Sequence, residues 1–259
     1  MIARPLLIFD FDGVIIDGMQ EYWHSARRAY LKLTENAHLQ SLPEEVPHLF
    51  RCLRPWVHYG WEMVLIAAEI ARPNSHLNQR GLKYFCTNYS SSCQEVLRCW
   101  GQSPERLQNA LDSVRRRSIE TNRAAWLKLH RPFPSVVERL LRLEEGEEDI
   151  NWAVLTTKST AFTAELLGSL GLASTKLYGR EDGSKLEVLL RLASRQPLAG
   201  FIEDRRATLE TVRATRELHS LYCYLASWGY LRPEDYCLLP TGIHLLSLEI
   251  LATPFVSWP

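Results

Sequence analysis

The sequence predicts an α/β protein, with a parallel sheet covered by helices on both faces and an all-helical domain inserted into it. Short apolar runs alternate with helical patterns between residues 152 and 225, which is typical of such a sheet. A further apolar run, Pro5 to Phe9, opens the chain and is too short for a helix. The long stretch between these parts has little β pattern. We therefore predict a sheet domain of residues 1–17 and 132–259, and a helical domain of residues 18–131.

Each predicted strand is a short apolar run that ends in polar residues or a turn. After Pro5 to Phe9, strands are predicted at Trp152–Leu155, Leu177–Tyr178, Gly200–Ile202 and Leu221–Leu225. Apolar residues at helical spacing predict the helices of the sheet domain at Ala161–Leu170, Lys185–Ala193 and Thr208–Leu218. The same spacing in the inserted stretch predicts helices at Glu21–Leu33, Gly60–Ala71, Ser90–Trp100 and Pro104–Leu129.

The composition excludes several classes of protein. Of 259 residues, 46% are hydrophobic and 23% are charged, which is typical of globular domains and not of disordered or coiled-coil chains. Lys and Arg number 30 and Asp and Glu number 30, so no global field favours nucleic acid or an anionic membrane as a partner. The six cysteines form no CxxC pair, and the N-terminus has no signal-peptide pattern. We expect a cytoplasmic protein that is a monomer or a homodimer.

Two carboxylates follow the first predicted strand. Asp10 and Asp12 stand two residues apart in Asp-Phe-Asp-Gly, so their side chains emerge on the same side while the chain turns away. Ligands of open α/β sheets bind outside the carboxyl ends of the strands. Such a pair binds a hard cation, attacks an electrophile, or divides the roles of nucleophile and general acid/base. A simple Asp-Gly turn is the alternative.

A second acidic pair, Glu203 and Asp204, follows the predicted strand Gly200–Ile202. Its presence argues against a simple turn, because acidic residues at two strand ends face the same edge of the sheet. Together the pairs form a negative pocket that needs a divalent cation, and ligation by oxygen atoms alone suits Mg²⁺. We therefore predict Mg²⁺ as the cofactor, with the two acidic pairs as candidate metal ligands: Asp10, Asp12, Glu203 and Asp204.

Hydroxyl groups and one cation stand at two further helix starts. Thr156 and Thr157 follow the strand Trp152–Leu155, and hydroxyls and backbone amides at the start of a helix suit phosphate oxygens. Lys185 stands at the head of the helix Lys185–Ala193, where the helix dipole disfavours a positive charge. Binding of an anion explains this position, and an exposed surface lysine is the alternative. These three residues are the candidate phosphate-binding group.

The chain resembles the haloacid dehalogenase-like (HAD) superfamily of hydrolases, because four of its motifs occur in the order typical of that family. Phe9–Val14 is similar to the first motif of that family, DxDG(T/V). Thr156 resembles the second motif, and Lys185 after Gly-Ser resembles the third. Glu203-Asp204 resembles the acidic fourth motif. It departs from the common Gly-Asp form, and Thr208 stands where a second aspartate is often found.

The resemblance implies a Rossmann-like core with a helical cap, and a magnesium-dependent phosphatase that acts on a small phosphorylated metabolite. Asp10 would attack phosphorus and form an aspartyl-phosphate. Asp12 would act first as general acid and then as general base. Thr156 and Lys185 would stabilise the transferring group.

The implied metal ligands are Asp10, the backbone carbonyl of Asp12, and Asp204 with or without Glu203.

The altered fourth motif leaves a second class of function open, a binding or regulatory protein that kept the acidic pocket. A phosphomutase with the same residues is a third. The dehalogenase branch of the family attacks carbon and lacks the second aspartate of the first motif, so Asp12 favours phosphoryl chemistry.

The inserted helical segment lies where the family often places a cap that determines specificity. Arg54 and His58, in a stretch rich in aromatic residues, are candidate contacts to an anionic or polar substrate. Packing of the cap core is the alternative for this stretch. Farther along, Arg115, Arg116 and Arg117 form a basic run, which we interpret as a solvated helix face.

Overall fold

The computed structural model describes residues 4–34, 42–172 and 176–259 of the chain. The chain divides into two compact units. The first consists of Met1–Asp17 and Arg131–Pro259, and the second of Gly18–His130. Arg131 pairs with Asp17 in a short antiparallel ribbon and so belongs to the first unit, one residue before the boundary that the sequence predicts.

A parallel sheet forms the centre of the first unit. In spatial order its strands are β5 (Lys176–Tyr178), β4 (Asn151–Leu155), β1 (Leu6–Phe9), β6 (Leu198–Glu203), β7 (Tyr222–Ala226) and β8 (Ile243–Leu246). A separate antiparallel ribbon contains β2 (Ile16–Asp17) and β3 (Arg131–Pro132). The predicted α/β class with a Rossmann-like parallel sheet is therefore confirmed.

The five strands predicted from the sequence are all present, with ends that differ by at most two residues. Strand β8 was not predicted from the sequence. This strand lies at the edge of the sheet and pairs with β7 alone, and the half-exposed His244 interrupts its apolar pattern. An edge strand with one exposed side needs no continuous apolar run, which is the signal on which the prediction depended.

The second unit contains helices α1 (Met19–Leu33), α2 (His48–Leu53), α3 (Gly60–Ala71), α4 (His76–Thr87), α5 (Tyr89–Trp100) and α6 (Pro104–Leu127). The first unit contains α7 (Pro134–Glu144), α8 (Thr160–Ser169), α9 (Lys185–Ala193), α10 (Arg206–Ala214) and α11 (Leu248–Leu251). Helices α3 and α9 have the predicted bounds, whereas α2, α4, α7 and α11 were not predicted. Among the described residues, no helix is both long and apolar enough to cross a membrane.

The register of the central strands places the predicted site residues at one edge of the sheet. All four residues of β1 are fully buried between β4 and β6. Phe9 pairs with Val154 on one side and with Ile202 on the other. The residues that follow these strands therefore emerge side by side at the carboxyl edge, where ligands of open α/β sheets bind.

A buried ion pair holds two helices of the second unit together. Glu21 on α1 accepts hydrogen bonds from Nε and Nη2 of Arg115 on α6, each 2.8 Å long. Ser25 donates a further hydrogen bond to the same carboxylate. The interpretation of the basic run as a solvated face is therefore wrong for Arg115, which is buried because this side of α6 packs against α1. Arg116 and Arg117 are exposed.

Arg115→Met is expected to lower the free energy of unfolding by about 3–5 kcal/mol, because it leaves the Glu21 carboxylate buried without its charge partner. Urea denaturation followed by circular dichroism measures this loss. Arg116→Met changes the exposed neighbour on the same helix and serves as the matched control, with an expected change within about 0.5 kcal/mol. Equal stability of Arg115→Met and the unmodified protein would contradict the role assigned to this pair.

Candidate active site

The carboxyl ends of β1 and β6 bring three carboxylates together. Asp10 follows β1 directly, and its backbone amide donates a hydrogen bond of 2.8 Å to the carbonyl of Ile202 on β6. Glu203 is the last residue of β6, and Asp204 follows it. One oxygen from each of the three carboxylates lies within 4.8 Å of the others, and all three residues are buried. The pairing of β1 with β6 thus builds an acidic cluster.

Lys185 crosses from the start of α9 to this acidic cluster. Its Nζ lies 2.9 Å from Oδ1 of Asp10 and 2.7 Å from Oε2 of Glu203. The helix start is fixed by a capping box, in which Ser184 and Glu187 bond to each other's backbone amides. Lys185 therefore lies in the predicted site. The anions that its ammonium group contacts are two carboxylates of the protein.

A second lysine, Lys158, was not among the candidate site residues from the sequence. Its Nζ lies 3.1 Å from Oδ1 of Asp12, and its side chain is only 2% exposed. The backbone amide of Lys158 donates a hydrogen bond of 3.1 Å to Oγ1 of Thr156, which is itself buried. Lys158 follows Thr156-Thr157 at the end of β4, so a strand-end cation two residues after a candidate phosphate ligand was the available signal.

Burial and charge shift the acid–base properties of this cluster. Desolvation, followed by repulsion from Glu203, raises the pKa of Asp10 from 3.8 to about 8, although Lys185 opposes the rise. For Lys185, burial alone lowers the pKa. Attraction to Asp10 and Glu203 outweighs that cost and holds the pKa above its ordinary value. Lys185 is therefore a permanent cation next to the carboxylates of Asp10 and Glu203.

The residues present fit a divalent metal ion. Four carboxylates lie at this edge of the sheet, and the ammonium groups of Lys185 and Lys158 contact three of them: Asp10, Glu203 and Asp12. Desolvation is the larger cause of the raised pKa of Asp10, and repulsion from Glu203 adds to it. Oxygen ligands from Asp10, Glu203 and Asp204 are the donor type that Mg²⁺ prefers. Asp12 is outside this group of carboxylates, and its side chain contacts Lys158.

Two glycines allow the backbone to approach Asp204 closely. A Cβ atom on Gly13 would lie 1.9 Å from Oδ2 of Asp204, and Gly13 also has a positive φ of 89°. A Cβ atom on Gly229 would lie 2.3 Å from Cβ of Asp204. The glycine of the Asp-Phe-Asp-Gly motif is therefore required by both its backbone conformation and the space beside the carboxylate.

The remaining predicted residues have local contacts. Thr157 is half-buried at the end of β4. Arg54 and His58 lie in the second unit, where the guanidinium of Arg54 stacks 4.9 Å from the ring centroid of Tyr22. The ring of His58 lies 4.1 Å from that of Tyr59. Their contact with a substrate stays a prediction.

Binding of Mg²⁺ is expected to strengthen with pH up to about pH 8. Below its pKa of about 8, the metal-free Asp10 is protonated, so metal binding releases a proton. The dissociation constant for Mg²⁺ should then fall about tenfold for each pH unit between about pH 6 and pH 7.5, and level off above about pH 8.5. Isothermal titration calorimetry measures both the constant and the proton release. A dissociation constant that is flat over the lower range would contradict the assignment.

Comparison with known proteins gives matches in structure. No protein-family model and no curated protein matches the chain in sequence. A haloacid dehalogenase-like hydrolase from Streptococcus pneumoniae matches with a TM-score of 0.56 at 16% identity, over 96% of this chain and 98% of that one. A predicted phosphoglycolate phosphatase from Haemophilus somnus matches with a TM-score of 0.54 at 15% identity, over 94% and 95%.

A candidate β-phosphoglucomutase from Thermotoga maritima also matches, with a TM-score of 0.50 at 18% identity, over 96% of each chain. Identities this low establish a common fold and leave the reaction open. The resemblance carried by the four sequence motifs is thus confirmed for the architecture: the chain has the haloacid dehalogenase-like fold.

Proposed function

We propose that the protein is a magnesium-dependent phosphatase that hydrolyses a small phosphorylated metabolite through an aspartyl-phosphate intermediate. The observation that supports this proposal is the position of the Asp10 carboxylate and the charged groups around it. This buried carboxylate lies at the carboxyl edge of the sheet, 2.9 Å from the ammonium group of Lys185 and within a cluster suited to a divalent cation. A carboxylate so placed is a nucleophile next to the charges that a transferring phosphoryl group needs.

In the first step, a carboxylate oxygen of Asp10 attacks phosphorus in line with the bond to the leaving oxygen. The P–O bond to the substrate breaks as the acyl-phosphate bond forms. Asp12 donates a proton to the leaving oxygen, so the product departs as an alcohol. The two residues stand two positions apart in the segment after β1, and we assign the attack to Asp10 and the proton transfer to Asp12.

In the second step, the Asp12 carboxylate takes a proton from water. The resulting oxygen attacks phosphorus, the acyl-phosphate bond breaks, and Asp10 is released as a carboxylate together with inorganic phosphate. Lys158, whose Nζ lies 3.1 Å from Oδ1 of Asp12, holds this side chain in position. This reuse of one acid/base group completes the cycle without a further titrating residue.

Positive charge and hydroxyl groups stabilise the transferring group. We assign Lys185, together with the hydroxyl groups and amides of Thr156 and Thr157, to the equatorial phosphoryl oxygens. Asp10, Asp204 and Glu203 would hold Mg²⁺ with the backbone carbonyl of Asp12. When bound, Mg²⁺ supplies charge neutralisation between the carboxylates and the phosphoryl oxygens.

The helical second unit is the proposed cap. A phosphorylated small acid or a sugar phosphate is the proposed class of substrate, since the structural neighbours include a predicted phosphoglycolate phosphatase. Arg54 and His58 are the proposed contacts for the part of the substrate beyond its phosphate. These assignments follow the general division in which a fixed core carries the chemistry and a variable domain selects the substrate.

The direct test is hydrolysis of an aryl phosphate and of a panel of small phosphate esters, with Mg²⁺ or with a chelator. Release of phosphate that requires Mg²⁺ supports the proposal, and the ranking within the panel identifies the substrate class. No release from any ester, with Mg²⁺ still bound, would overturn it. That outcome would favour a binding protein that kept the acidic pocket, with Glu203 and Thr208 as the altered positions.

A phosphomutase is the second candidate, favoured by the match to a candidate β-phosphoglucomutase. A mutase would pass the phosphoryl group from Asp10 to a sugar hydroxyl and exclude water. The two functions are separated by the products from sugar phosphates. Inorganic phosphate as the main product indicates the phosphatase, and an isomeric sugar phosphate indicates the mutase.

A further inference from the structure

A turn after β7 reaches back to the acidic cluster. Trp228, Gly229 and Tyr230, called here the Trp-Gly-Tyr turn, follow the carboxyl end of β7 at Ala226. The backbone amide of Tyr230 donates a hydrogen bond of 2.9 Å to Oδ2 of Asp204. Gly229 packs so closely against Asp204 that no side chain fits there. The turn therefore contacts Asp204 through its backbone.

Two side chains of the turn fix its position. The indole Nε1 of Trp228 donates a hydrogen bond of 2.9 Å to the carbonyl of Val14. The hydroxyl of Tyr230 donates one of 2.6 Å to Oδ1 of Asp17. Both acceptors follow Asp12 within five residues, and the bond to Asp17 is of the short, charge-assisted type. The turn is thus tied to the same segment that carries Asp10 and Asp12.

The geometry points to Tyr230 as a positioning residue for the metal site: its hydroxyl, bonded to Asp17, keeps its backbone amide directed at Asp204. This inference rests on the proposed role of Asp204 as a ligand of Mg²⁺. A carboxylate whose one oxygen accepts a fixed backbone hydrogen bond is oriented before the metal arrives. Removal of such an outer partner typically weakens metal binding by 10- to about 100-fold.

A purely structural role for the hydroxyl gives a different expectation. In that case Tyr230→Phe would lower thermal stability in chelator and leave the affinity of the folded protein for Mg²⁺ unchanged. The positioning role predicts a loss of affinity in a protein that remains folded, and a turnover deficit that additional Mg²⁺ overcomes. Direct measurement of metal binding therefore separates the two roles.

The experiment is isothermal titration calorimetry with Mg²⁺ on the full chain. Tyr230→Phe is expected to raise the dissociation constant about tenfold. Asp17→Ala should raise the dissociation constant by a similar factor. Asp17→Asn keeps an acceptor oxygen and should raise it less. The double variant Tyr230→Phe with Asp17→Ala should bind Mg²⁺ no more weakly than either single variant, because each substitution removes the same hydrogen bond.

Tyr236→Phe is the matched control, since the hydroxyl of Tyr236 donates to the carbonyl of Ser227, one residue before the same turn. Its dissociation constant should equal that of the unmodified protein. An unchanged constant in folded Tyr230→Phe would overturn the inference, as would additive losses in the double variant. If the unmodified protein binds Mg²⁺ but releases no phosphate, the proposed function fails while this inference is still decided by calorimetry.

Discussion

Asp10→Asn is expected to reduce the release of phosphate by a factor of about 10⁴ or more. The amide cannot form the acyl-phosphate bond, so the two-step route is closed, and losses of this size follow removal of a catalytic nucleophile. Turnover of the best ester in the panel at saturating Mg²⁺ measures the effect. Asp149→Asn is the matched control, because Asp149 lies in the same unit and its side chain is 83% exposed.

A stability measurement separates this loss from misfolding. Because Asp10 is buried with its pKa raised to about 8, its ionised form destabilises the metal-free fold, and the contribution of its protonation is lost as pH rises from about 4 through about 8. Asp10→Asn is neutral at every pH. It should therefore be at least as stable as the unmodified protein in chelator at about pH 8.5. A folded Asp10→Asn that retains most of the turnover would contradict the nucleophilic role.

The sequence predicted the position of the acidic cluster because strand ends are visible as patterns. A buried apolar run followed by carboxylates appears twice, at Asp10 and at Glu203, and the parallel sheet aligns the two ends. The register that pairs Phe9 with Ile202 is not visible in the sequence, yet any parallel pairing of these strands brings their ends to the same edge. The prediction thus depended on topology alone.

Contacts between distant turns were not predictable in this way. Lys158 reaches Asp12, and Tyr230 reaches both Asp204 and Asp17, across chain separations that no local pattern encodes. The burial of Arg115 was missed for a related reason. A run of three arginines has the composition of an exposed face, and only the packing of α6 against α1 decides which of them turns inward.

Glu203, which stands where the family often has glycine, is paired with Lys185. A glutamate in place of the common glycine adds a buried negative charge next to Asp10 and contributes to its raised pKa. Lys185 lies between the two carboxylates, 2.7 Å from Glu203 and 2.9 Å from Asp10. Under the proposed function, Lys185 would compensate two carboxylates of the protein and also stabilise the transferring phosphoryl group.

Lys185→Met is accordingly expected to lower turnover by about 100-fold or more, the size of effect that follows loss of one preorganised electrostatic partner. Removing the ammonium group also removes the attraction that lowers the pKa of Asp10. The pKa of Asp10 should therefore rise further, and the acid limb of the pH–rate profile should shift to higher pH. Initial rates at saturating Mg²⁺ over about pH 5 to pH 9 give both effects.

Two variants make this test specific. Lys185→Arg keeps the positive charge and should recover part of the turnover and most of the pH profile, since guanidinium and ammonium groups differ in geometry more than in charge. Lys176→Met removes an exposed lysine from the neighbouring strand β5 and should leave both unchanged. Lys185→Met with turnover close to that of the unmodified protein would show that the carboxylates are compensated without this lysine, and would remove it from the phosphoryl-transfer site.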